Sequence, residues 1–207
     1  MPRPSRPRKA PPYVVPWAGE TLLTPDLVTS QDGVAYADPL HDATRRVDGV
    51  LWAVCGGDAS SGGPEYASEL HPERQREMMD GLLCAGCTRE PERDARGALW
   101  LLPLLDLATD TVWETVRTVI PPLCSECADR TRQSCPRVRE GHAELRVLEA
   151  EAVGVIGTLH PRPGQHSAPD PDRFVPYDSP DIAFTVARQV VRELRRITVV
   201  SVVQPPR

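Results

Sequence analysis

Cys84-Ala85-Gly86-Cys87 forms one CxxC pair, and Cys124-Ser125-Glu126-Cys127 forms a second, 36 residues further on. Two residues between thiols let one tight turn aim both sulfurs at a single cation. Four thiolates suit zinc, which takes sulfur ligands in a closed tetrahedron when its role is structural. Gly86 is expected to ease the sharp backbone turn before Cys87. The spacing therefore predicts one structural zinc ion on Cys84, Cys87, Cys124 and Cys127. A closed four-cysteine set leaves no position for substrate, so the metal itself is expected to do no chemistry. The rival chemistry for CxxC is dithiol redox. Two pairs occur here, neither follows a βαβ pattern, and neither has thioredoxin-like aromatic or proline neighbours.

The two remaining cysteines read as packing thiols. Cys135 lies eight residues beyond Cys127, before Pro136, and could replace a ligand, but a half-buried thiol is the simpler reading. Cys55 closes the run Trp52-Ala53-Val54 and would need a histidine partner to act as a nucleophile. No histidine occurs between Cys87 and Cys135. That gap disfavours an HNH-type nuclease, whose metal finger carries its catalytic histidine in that interval. His160 and His166 flank a Pro-rich loop at irregular spacing, and His71 opens a helix. No P-loop, GxGxxG, HExxH or GxSxG pattern is present, and Asp106 and Asp110 read as turn residues. No catalytic residue is assigned.

Arg130, Arg132, Arg137 and Arg139 follow the second pair closely, with Arg117 on the segment before it. Such a cluster could meet nucleic-acid phosphates or a protein partner. Glu126, Asp129 and Glu140 interleave with it, and the thiolates themselves invite arginine as an offset, so a solvated face competes with a binding patch.

The surrounding elements are read from pattern. The chain has 207 residues and a formal charge of −5. That length suits one domain with a substantial core, and the mild acidity argues against binding nucleic acid by net charge. No segment approaches the ~20 apolar residues of a membrane span, nor does the N-terminus resemble a secretory signal, so the expected location is cytoplasmic. Residues 1–12 form an expected disordered basic tail, and 13–207 a single α+β domain with a zinc module at about 84–135. Residues 13–55 read as short extended runs, and a helix starts near His71-Pro72. Residues 97–102 and 111–120 read as a hairpin. A short helical stretch follows Cys127, 144–159 supplies one or two strands, and 160–180 is a Pro-rich loop. Apolar residues at 182, 183, 186, 187, 190, 191 and 194 predict an amphipathic helix capped by Ser179, then a strand over 197–203.

A knuckle, a hairpin, then a ligand pair opening a helix resembles a treble-clef zinc finger over about 84–134. Over most of 13–200 the chain also resembles a group of uncharacterised actinobacterial proteins. The features carrying this are His71-Pro72, Arg74 to Met78, the two CxxC pairs with Leu83 and Pro121-Pro122-Leu123, Gly97 to Leu102, Cys135-Pro136, Gly141-His142, Gly154 to Leu159 and Val190 to Arg195. Lys9 is the sole lysine among many arginines, which fits GC-rich coding in a bacterium or a phage. The resemblance brings no function. The expected fold class is α+β, with mixed strands and two or three helices around the module. The expected function is a zinc-stabilised, non-enzymatic binding protein whose partner is a protein or nucleic acid. The alternatives are an enzyme or enzyme subunit whose site is built from dispersed residues, and a nucleic-acid-binding regulator using the arginines after the second CxxC.

Overall fold

The computed structural model describes residues 11–59, 61–66, 69–107 and 112–204. The expected disordered tail lies almost wholly outside these residues. In chain order the strands are β1 (Glu20–Leu22), β2 (Leu27–Ser30), β3 (Gly33–Tyr36), β4 (Arg46–Val47), β5 (Val50–Trp52), β6 (Cys55–Gly57), β7 (Arg93–Asp94), β8 (Gly97–Pro103), β9 (Thr115–Thr118), β10 (His142–Leu159), β11 (Asp170–Pro176) and β12 (Thr185–Val203). The helices are α1 (Pro39–Arg45), α2 (Pro72–Asp80), α3 (Ser125–Ser134) and α4 (Pro136–Arg139). The class is α+β, as expected, with four α-helices among the described residues rather than two or three. None of these helices is long and apolar enough to cross a membrane.

Two long antiparallel strands, β10 and β12, form the spine. The outer edge of β10 is shared between β8 over residues 142–147 and β11 over 154–159. The outer edge of β12 takes β5 in parallel at Val186 and Ala187, then β9 at 192–195. The main core lies on one face, where Trp52, Trp100, Leu145, Val155, Val190 and Leu194 pack together.

The amphipathic helix expected over 181–194 is not formed. Only Pro180–Phe184 is helical, a 3-10 turn in which Ser179 accepts from the Asp181 amide as the cap signal predicted. The rest is strand. Its pairing with β10 slips by one residue between Ala187 and Gln189, leaving Arg188 as a bulge. A bulge puts two residues opposite one and reverses the inside–outside alternation. Ala187, Val190 and Leu194 consequently share the core face at i, i+3 and i+7, which is also the signature of a helix. The run of β-branched residues, Val186, Val190, Val191 and then Ile197 to Val203, carried the contrary signal.

The expected hairpin of 97–102 with 111–120 is also absent. β8 turns back on β7 and lies against β10, whereas β9 crosses to β12. Residues 144–159 do extend, as all but the first two residues of β10, with pairing slips at Glu144/Leu145, Ala152/Gly154 and Ile156/Gly157. The expected loop at 160–180 contains β11. Pro171 is tolerated there because β11 is an edge strand, where a missing amide donor costs no ladder bond. The helix α1 was not foreseen, although Asp38 caps it through the Leu40 and His41 amides and Pro39 starts it.

The helix α2 begins where predicted, with Pro72 in its first turn and the His71 side chain accepting from the Arg74 amide. Burial, with the charge of Arg74 adding to it, holds the His71 imidazole below its ordinary pKa, against the opposing pull of Glu20. Two side chains fasten α2 to the sheet. Arg192 donates to the Met79 carbonyl, at the helix end where a cation is favoured. Gln75 is fully buried and bonds the edge of β12 in the gap between β5 and β9. Its Nε2 donates to the carbonyls of Val119 at 2.7 Å and Val190 at 2.9 Å, and its Oε1 accepts from the Val190 amide at 3.0 Å. Gln75→Leu keeps the volume but strands three buried backbone groups. Chemical denaturation should show a loss of roughly 3 kcal/mol, since each unpaired buried group costs about 1–3 kcal/mol. A loss under 1 kcal/mol would mean that water or the backbone replaces these bonds.

Candidate metal centre and the cavity beside it

The four cysteines predicted as ligands converge. The Sγ atoms of Cys84, Cys87, Cys124 and Cys127 all lie within 4.8 Å of one another. The Cys87–Cys124 sulfur separation is 3.8 Å. A tetrahedron with ~2.3 Å metal–sulfur bonds has an edge of about 3.8 Å, so the spacing suits a four-coordinate metal ion. It is well beyond a disulfide bond of ~2.05 Å, and all four thiols are free.

The backbone builds this site. The first pair sits on a knuckle closed by the Thr88 amide donating to the Cys84 carbonyl at 3.0 Å, with Thr88 itself at φ 62°. Gly86 serves a different purpose from the one expected, because its φ is not positive. A Cβ at Gly86 would stand 2.6 Å from Cys127 Sγ, so glycine is required for close approach rather than for the turn. The second pair opens α3, as predicted, with Cys124 at the N-cap position. The Cys124 amide donates to Cys84 Sγ at 3.3 Å, which ties the two pairs together.

These sulfurs meet donors suited to thiolates. Burial raises the Cys84 thiol pKa, opposed by amides of Cys124, Gly86 and Cys87. Burial also opposes ionisation of Cys87, but the Arg89 amide and guanidinium and the neighbouring thiols bring it down to about 7. Burial and then the charge of Cys84 push Cys127 upward, while Arg130 Nη2 donates to its sulfur at 2.6 Å. Hydrogen bonds to a thiolate favour its charged form, and a coordinated dication deprotonates a thiol outright.

The five arginines do not gather into an open patch. Arg130 is spent on Cys127. Arg132 bridges Asp129 and Glu144, and Arg137 pairs with Asp106. Arg117 stacks over Phe174 and pairs with Glu193 at 3.1 Å. Arg139 has no ion-pair or hydrogen-bonding side-chain partner among the described residues. Of the other thiols, Cys135 is half-buried against the cysteine core. Cys55 is half-buried at the start of β6, its pKa raised by burial and by Glu20. His160 and His166 join no metal-binding cluster among the described residues. Asp110 lies outside the described residues.

A cavity of about 570 Å³ lies against the cysteine module. Ala85 and Leu123, each adjacent to a cysteine, contribute to its wall, with Thr131 and Cys135 from the end of α3. Val14 and Val15 form another side, held by the Val14 amide donating to the Ala85 carbonyl at 3.2 Å. Ile156, Gln189 and Val191 close it from the sheet. The cavity draws on β8, β9, α3, α4, β10, β11 and β12 and on the loops between distant elements, which is why no local motif announces it.

No protein-family model matches the chain, and no curated protein or solved structure matches it significantly.

Proposed function

We propose that this chain is a non-enzymatic binding protein stabilised by one structural zinc ion on Cys84, Cys87, Cys124 and Cys127. The observation carrying this reading is the convergence of four thiols at tetrahedral spacing in a module whose Ala85 and Leu123 help to line a large apolar cavity. Zinc is favoured over other metals because four thiolates without a nitrogen or oxygen donor suit it in a structural role. The cavity supports binding over catalysis. Its charged side chains are ion-paired, Asp106 with Arg137, Glu69 with Arg188 and Arg117 with Glu193 beside it, and Tyr66 and Cys135 are the other titratable groups in its wall. The internal use of Arg117, Arg130, Arg132 and Arg137 speaks against a phosphate backbone as partner. Four cysteines held as thiolates fit a reducing compartment such as the cytoplasm.

Cobalt substitution tests the scaffold role. The purified chain should contain about one zinc, and the cobalt form should show intense thiolate charge-transfer bands with a tetrahedral ligand field. Added azide or imidazole should leave that spectrum unchanged, because a closed site has no exchangeable position. A spectrum that responds to either ligand would reveal an open coordination position and overturn the non-catalytic reading.

A further inference from the structure

The cavity's chemistry narrows what it can hold. Its volume of about 570 Å³ falls in the range of sites that enclose small organic molecules. Most of its wall is apolar, with Val14, Leu101, Val138, Ile156, Phe174 and Val191 among the contributors. The charges at its margin are matched internally: Arg137 with Asp106, Arg117 with Glu193, and Arg188 with Glu69. An ionic ligand would have to break one of these pairs.

One polar side chain in the wall is both deeply buried and only partly bonded. Gln189 is 5% exposed and comes from β12 opposite Ile156. Its Nε2 reaches only the Leu70 carbonyl, at 3.5 Å. Its Oε1 has no partner among the described residues. Although the residue is buried, this oxygen is not among the sealed, unpartnered side-chain atoms, so it stays open to a donor. The contrast with Gln75 is direct, since that glutamine, on α2 against this sheet, has both ends of its amide satisfied. Gln189 therefore offers a hydrogen-bond acceptor at the sheet wall of an otherwise apolar space.

We propose that the cavity binds a small, uncharged, largely apolar molecule that donates one hydrogen bond, from a hydroxyl or N–H group, to Gln189 Oε1. This deepens the binding reading above and rests on the zinc-clamped wall for the shape of the site. Other occupants fit less well. A folded protein surface would not fill a concave space of this kind.

The test uses N-phenyl-1-naphthylamine, a neutral fluorophore with an apolar body and one N–H, on the zinc-loaded full chain. The expected result is saturable binding of one probe per chain with enhanced, blue-shifted emission, reversed by 1-decanol. Gln189→Leu should weaken the probe roughly tenfold, the worth of one hydrogen bond of about 1.4 kcal/mol. The same variant should bind N-methyl-N-phenyl-1-naphthylamine, which lacks the donor, about as well as the wild type does. Val191→Trp on β12 and Ile120→Trp just beyond the end of β9, which fill the space from two different segments, should each abolish binding. Zinc content and the circular dichroism spectrum are measured on the same samples. No saturable binding to folded, zinc-loaded chain would overturn the proposal, as would binding undiminished by both tryptophan variants. Equal losses for both probes in Gln189→Leu would overturn the role of Gln189. None of these outcomes affects the cobalt spectrum, so failure of the ligand proposal is distinguishable from failure of the closed metal site.

Discussion

The Cys84→Ser/Cys127→Ser variant is expected to bind no zinc and to lose the fold of its cysteine module. Cys84 and Cys127 are the two fully enclosed members of the set, 0% and 2% exposed. They pack directly among Met78, Leu99, Leu101, Leu123 and Val138. Structural zinc contributes on the order of 10–16 kcal/mol in small zinc-finger peptides, comparable to the whole stability of a typical domain at about 5–15 kcal/mol. The loss should be uneven. The β10–β12 pair has its own core around Trp100 and Leu145, which does not include the cysteines. Hydrogen exchange should therefore lose protection at 84–89 and 122–134 first and retain it longest in β10 and β12. Chelation of the wild type should reproduce the pattern. Normal zinc content in the double variant would eliminate these four residues as the ligand set.

Gly86→Ala should be nearly as damaging, although it removes no ligand. The added methyl group would meet Cys127 Sγ at 2.6 Å and Cys127 Cβ at 2.9 Å, well inside contact distance. Neither atom is the end of a flexible side chain, because both belong to a ligand fixed on α3. Relief requires moving the knuckle away from α3, which spreads the sulfurs. Overpacking of this kind costs roughly 1–3 kcal/mol in stability, and zinc affinity, read by competition with a chelator, should fall by at least tenfold. Gly63→Ala is the matched control, since a Cβ there meets nothing within 4 Å and its φ is not positive. It should leave zinc affinity unchanged. Wild-type affinity in Gly86→Ala would show that the knuckle yields without disturbing the cluster.

The contrast between Gly86 and β12 shows how unevenly the molecule was legible. Gly86 was recognised as important from its place in CxxC, but for the wrong reason, because close approach to Cys127 depends on a residue 41 positions away. Residues 185–194 were misread because one bulge makes a strand imitate the period of a helix. The 97–120 hairpin failed for a related reason. Its two runs read as β without a clean two-faced alternation to fix their partner, and both pair with longer strands, β8 with β10 and β9 with β12. The absence of that hairpin leaves the treble-clef resemblance unsupported in its middle, while its knuckle and its closing helix are both present.

By itself the sequence determined the four cysteines, the helix beginning at Pro72, the helix beginning at Ser125 and the mixed class of the fold. These depend on spacing, capping and turn chemistry, which act over a few residues and are written locally. Strand partners, the role of Gly86, the engagement of the arginines and the cavity with Gln189 in its wall were decided only by the tertiary structure. Each depends on which distant segments meet. That choice is made by the burial of the whole apolar surface at once, and no short stretch of chain records it.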